Sequence, residues 1–199
     1  MKLLIKLACV GLAVVAAAPS DAQIVRYGNC AIDFELMNLP DCAISTRENR
    51  LYIDKQFADD VFSGRDTGIA AHAVRVGKYR LAWTHLPAAG WAYFDPTGLV
   101  VVQNVAMMDN GASDFHLGLV RVTAEDKWGL ADLRGKMITS LRYDGILEYQ
   151  TRRGWLACEG CRTVHQGEYS WFTGGKWVWL GPKGTVVSKA ADPTIKKTP

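Results

Sequence analysis

The sequence predicts an all-β protein, an antiparallel meander of three to four repeated β-hairpin units with a disulfide-stapled N-terminal cap. Three observations carry that expectation. Trp91, Trp128 and Trp177 are each followed seven residues later by a glycine, Gly98, Gly135 and Gly184, and self-similarity at a fixed spacing marks a repeat. Within each copy the large residues fall at period two, Trp91 with Tyr93, Trp128 with Leu130 and Trp177 with Trp179, which is a strand with one aromatic face. The stretches that follow, Asp95-Pro96-Thr97-Gly98, Asp132-Leu133-Arg134-Gly135 and Gly181-Pro182-Lys183-Gly184, have turn chemistry. Their closing glycine fits the left-handed position after a type I turn, a common three-residue hairpin loop.

From the N-terminus, residues 1–22 carry Lys2 and Lys6, an apolar run from Leu7 to Ala18 and the small-residue end Ser20-Asp21-Ala22. This reads as a secretory signal peptide cleaved after Ala22, which places the mature chain in the periplasm or outside the cell. The run is shorter than the ~20 apolar residues a membrane span needs, and no later stretch reaches that length, so no span is expected after cleavage. Cleavage removes Cys9 and leaves Cys30, Cys42, Cys158 and Cys161. An even number in an exported chain suggests disulfides, and local pairing, Cys30 with Cys42 and Cys158 with Cys161, is the simplest of the three connectivities. The first bridge, worth about 3 kcal/mol by loop closure, would staple residues 23–45, which carry no repeat signal and read as a cap on the open end of the array.

Residues 46–188 form the repeat domain. The unit at Lys127-Trp128-Gly129-Leu130-Ala131-Asp132, the preceding Phe115-His116-Leu117-Gly118-Leu119-Val120-Arg121-Val122 and the following Tyr143-Asp144-Gly145 resemble the WG-repeat family. Arg50-Leu51-Tyr52-Ile53-Asp54 resembles an outlying copy with Arg in place of Trp. The chain departs from the family pattern at Ala92 and Val178, where the second residue of the Trp-Gly pair differs, and at Gly181, which stands for the turn Asp. The resemblance implies ligand or protein binding rather than catalysis. The interval from Trp128 to Trp177 exceeds that from Trp91 to Trp128, so an insertion is expected over residues 151–175, containing Cys158-Glu159-Gly160-Cys161. Residues 189–199, with Lys196-Lys197 between prolines, read as a disordered tail.

Composition narrows the chemistry. A net charge of +3 with no concentrated basic face argues against nucleic acid as partner. The C-x-x-C has three readings. A dithiol oxidoreductase places such a pair at a helix start, but the flanks here are strand-like; a zinc site recruiting His165 lacks a second C-x-x-C; a structural disulfide pinning the insertion is preferred. His72, His85, His116 and His165 are scattered, Gly174-Gly175-Lys176 is followed by Trp177 instead of the Ser or Thr of a phosphate loop, and Asp109 to Asp114 lacks the alternating acids of a calcium loop. No catalytic, cofactor or metal residue is assigned. Trp91, Trp128 and Trp177 share one repeat position and are expected as core residues. Trp155 and Trp171, beside the insertion, are the aromatics expected to be exposed for binding. The function that follows is an exported, non-enzymatic interaction module of the cell envelope whose partner is an envelope protein or a glycan. The alternatives are a small thiol-redox or metal-dependent enzyme using Cys158 and Cys161, and an inhibitor of an envelope hydrolase.

Overall fold

The computed structural model describes residues 24–27, 42–47, 50–65, 71–86, 89–108, 111–167 and 169–194. The signal-peptide segment and Cys30, and with it the Cys30–Cys42 bridge, lie outside the described residues, as do residues 195–199.

Among the described residues the chain is antiparallel β with one helix. Strands β1 (Ile24–Tyr27), β2 (Cys42–Arg47) and β3 (Arg50–Ile53) form a first meander. Helix α1 (Lys55–Ser63) follows. After β4 (His72–Val76) come β5 (Tyr79–Leu86), β6 (Gly90–Phe94) and β7 (Val100–Val105), then the small hairpin of β8 (Met107–Met108) and β9 (Gly111–Ala112). Strands β10 (Leu119–Ala124), β11 (Lys127–Asp132) and β12 (Met137–Tyr143) continue one seven-stranded sheet in the order β12-β11-β10-β7-β6-β5-β4. Its two halves meet between β7 and β10, in register at Val105 and Val122. The last sheet is β13 (Gly145–Ile146), β14 (Trp155–Glu159), β17 (Lys176–Leu180) and β18 (Val186–Ala190). Between β14 and β17 a separate ribbon of β15 (Arg162–Gln166) and β16 (Tyr169–Thr173) is inserted.

One unit is therefore a three-stranded meander, seen as β5-β6-β7, β10-β11-β12 and β14-β17-β18. The three turns are the same structure. Gly98 N–H donates to Asp95 O and Asp95 N–H to Leu99 O; Gly135 and Asp132, and Gly184 and Gly181, repeat the two bonds at 2.9–3.0 Å. The glycines have φ of 84°, 76° and 68°, as a left-handed third position requires. Asp95 and Asp132 add side-chain caps, each Oδ1 accepting from two backbone N–H groups ahead of it.

The first copy diverges at this point. Asp54 occupies the turn position, but three residues later stands Phe57 instead of glycine. Asp54 Oδ1 accepts from Phe57 N–H at 3.0 Å and becomes the N-cap of α1, which ends at Gly64 with φ 75°. The sequence reading did not anticipate this helix. Its buried Phe57, Ala58 and Val61 pack with Ile53, Ala82, Leu86, Ala92, Phe94 and Val100.

Alternation along each strand feeds two cores. Leu81, Tyr93 and Val102 turn away from that first cluster and pack with Val120, Val122 and Ala131 of the next unit. Leu119 and Leu130 pack in turn with Tyr143, Ile146, Trp155 and Leu180. The units are thus joined in a line by successive apolar clusters, the arrangement of a repeat array. At the C-terminal end residues 189–192 of the expected tail are structured: β18 runs to Ala190, and Asp192 accepts from Gly174 N–H at 2.6 Å.

Candidate functional site

Strand β10 places an arginine where its neighbours are apolar. Val120 and Val122 point into the cluster shared with the preceding unit, so Arg121 takes the face occupied by Leu119, toward the following unit. It is only 4 % exposed. Its Nε donates to Ser113 Oγ at 2.9 Å and its Nη1 to Ile146 O at 3.2 Å. Both partners are neutral, and none of the ion pairs among the described residues includes Arg121. Burial lowers its pKa from the ordinary value, opposed by the fields of Glu148 and Asp114.

Beside this guanidinium opens a pocket of about 430 Å³ whose walls are Trp128, Tyr149 and Phe172 and whose polar groups come from Arg121, Glu148 and Gln150. That volume falls in the range of small-ligand sites, about 300–1,000 Å³. Each wall is held from behind. Trp128 and Phe172 meet edge to face at 5.9 Å, and Tyr149 stacks on His116 at 5.1 Å while its ring meets Trp155 at 4.9 Å. Phe172 belongs to the inserted ribbon and lies over Gly145, where a Cβ would stand 2.7 Å from the ring. Glycine is needed there for that close approach.

The ribbon's base fixes Phe172. Cys158 and Cys161 are bonded across the β14–β15 turn, with Cα atoms 6.0 Å apart and Gly160 between them at φ 73°. They sit at the end of a strand, and their sulfurs are joined to each other, so neither a helix start nor a free thiolate pair is present in this form. Asp144 ties the turn to the body: its carboxylate accepts from Gly160 N–H and pairs with Lys127. Those bonds, the Lys127 one first, hold the Asp144 carboxyl below the usual carboxylate range. Among the described residues no group of three or more His, Cys, Asp or Glu is placed to hold a metal ion, and no helix is long and apolar enough to cross a membrane.

The expected binding aromatics are not the ones the fold presents. Trp155, expected to be exposed, is 1 % exposed. It lies in the core because its strand β14 is a full member of the last unit, not part of the insertion, and its ring packs among Leu130, Tyr143 and Leu180. Trp171 is half-buried opposite Val164 on the ribbon face that alternates with Phe172, and it does not line the pocket. Of the three repeat tryptophans, Trp91 and Trp177 are buried, at 6 % and 3 % exposure. Trp128 is half-buried, because its outer face is a pocket wall. The signals that reach this site in the sequence are the arginine within the apolar run Leu119 to Val122 and the insertion; neither announces that the two converge.

A second concavity, a groove of about 750 Å³, is bordered by Arg50, Lys78, Arg80 and Arg134 with Asp95. Its cations are exposed, and Arg80 is engaged by Phe62, donating to its carbonyl oxygen and lying over its ring. Comparison with protein-family models, curated proteins and solved structures finds no match to this chain.

Proposed function

We propose that the protein is an exported, non-enzymatic binding module of the WG-repeat type, and that its ligand sits in the pocket bounded by Trp128, Tyr149 and Phe172. One observation carries this reading. The repeat tryptophan Trp128 departs from the burial of its equivalents Trp91 and Trp177 and borders a pocket to which the inserted ribbon adds Phe172. Three aromatic rings around a cavity of this size suit a ring-shaped ligand, a sugar or an aromatic compound, stacked on at least one face. The Cys158–Cys161 bridge serves, in this reading, to hold the Phe172 wall.

The test is a binding screen of small cyclic compounds, neutral and acidic, by thermal shift and titration calorimetry, on the wild type and on Trp128→Ala. Expected are saturable binding that the substitution abolishes and recovery of the ligand unchanged after prolonged incubation. Chemical conversion of the ligand, or free-thiol titration showing Cys158 and Cys161 readily reduced and reoxidised with substrate, would favour the enzymatic alternative.

A further inference from the structure

The aromatic walls account for the shape of the pocket but not for the charge set beside it. A guanidinium taken out of water loses solvation that neutral partners only partly restore, and proteins ordinarily answer that loss with a carboxylate. Arg121 has only a hydroxyl and a carbonyl as hydrogen-bond partners among the described residues, through Nε and Nη1. Its Nη2 donates to no group among the described residues, and no buried polar side-chain atom there lacks a partner. Nη2 is therefore the arm left for a further partner, and the aromatic pocket lies beside Arg121.

The geometry points to a carboxylate-bearing ring compound as the ligand, its acid group bonded to Arg121 and its ring stacked against Trp128, Tyr149 or Phe172. This rests on the binding reading above and adds the ligand's charge. A charge-assisted bond between guanidinium and carboxylate is roughly twice as strong as a neutral one, and more so where water is excluded. The acid supplies a directly bonded counter-charge, which Glu148 and Asp114, acting on Arg121 only through their fields, do not. Glu148 borders the same pocket and is exposed. With Asp114 it acts on Arg121 through its field without pairing with it, and an incoming carboxylate would feel its repulsion at the rim. That opposition gives the proposal a test of sign.

Two sources share the chemistry, a sugar acid and an aromatic acid. The experiment titrates glucuronate and benzoate, with glucose and benzyl alcohol as their neutral counterparts, by calorimetry against the wild type, Arg121→Met, Glu148→Gln and Trp128→Ala. At least one acid is expected to bind about tenfold or more tightly than its neutral counterpart. Arg121→Met, checked for its fold by circular dichroism, is expected to erase that preference, and Glu148→Gln to tighten the acid about threefold. Which acid wins identifies the source. If acid and neutral forms bind alike and Trp128→Ala removes both, the carboxylate proposal fails while the pocket stands. If Glu148→Gln weakens the acid, Glu148 supports the bound acid instead of repelling it, and the proposed arrangement of carboxylate on Arg121 with Glu148 opposing it at the rim is overturned. If none of the four binds, or binding ignores Trp128, the pocket reading itself fails.

Discussion

At the residue scale the turn glycines separate two effects that a sequence cannot. Gly64 and Gly135 both have positive φ, 75° and 76°, yet a Cβ on Gly64 meets nothing within 4 Å, while one on Gly135 would stand 2.0 Å from Val101 O. Gly64→Ala should therefore destabilise by about 1 kcal/mol, the backbone term alone, and Gly135→Ala by about 3 kcal/mol or more because the neighbouring unit must also move. Urea unfolding of the two variants checks the difference. The tryptophans divide in the same way. Trp91→Ala and Trp177→Ala should each lower stability by about 3–5 kcal/mol, with Trp128→Ala well below them because part of its ring is already in water. Asp144 adds a pH dependence. Its carboxyl is held below its ordinary value, so its bonds stabilise the fold fully above about pH 4, the value in the unfolded chain, and are lost as pH falls through the lower folded value. Asp144 is partly exposed and the gain is small. The melting-temperature gap between wild type and Asp144→Asn should be visible at pH 6 and should close on acidification below pH 4.

At the element scale the insertion is narrower than residues 151–175 suggested. Strand β14 pairs with β17 from Trp155–Leu180 to Glu159–Lys176, just as β10 pairs with β11 across the two-residue turn Glu125-Asp126. The ribbon therefore replaces one tight turn. Exchanging residues 160–175 for Asn-Gly should leave a folded β protein by far-ultraviolet circular dichroism, with a lower melting temperature and no pocket wall at Phe172. Loss of all cooperative unfolding would show instead that the ribbon nucleates the last unit. The hairpins were legible in the sequence because tryptophan spacing, turn composition and β-branched returns agree at all three copies. Helix α1 was not, because Asp54 is read identically in a turn and in an N-cap; only Phe57 in place of glycine distinguishes them. Trp155 was misplaced for a related reason, since its distance from Trp128 looked like insertion when it was the opening strand of the next unit.

At the scale of the whole molecule the array is a series of meander units joined by successive apolar clusters, two of the units sharing the seven-stranded sheet. Strands β6 and β11 each have a hydrogen-bonded neighbour on both sides and buried faces, whereas β18 forms an edge with Val186 and Val187 exposed. Amide hydrogen exchange should be slowest in β6 and β11 and fastest in β18 and the ribbon. Uniform protection would mean that the units do not open separately. The site was less legible than the fold because Arg121 and Phe172 border one pocket only after the five strands β11 to β15 have folded between them, and convergence of that kind leaves no local pattern. The contact of Gly98 with Ile53 O and of Gly135 with Val101 O bears on how such a chain can change over generations. In both, one unit touches the one before it through main-chain atoms, which every amino acid presents alike. Such a joint is indifferent to the side chains around it, so the turn of a copy can be rewritten and still meet its neighbour while the glycine survives, whereas Gly184 meets the side chains of Ile138 and Thr139 and ties the last copy to them.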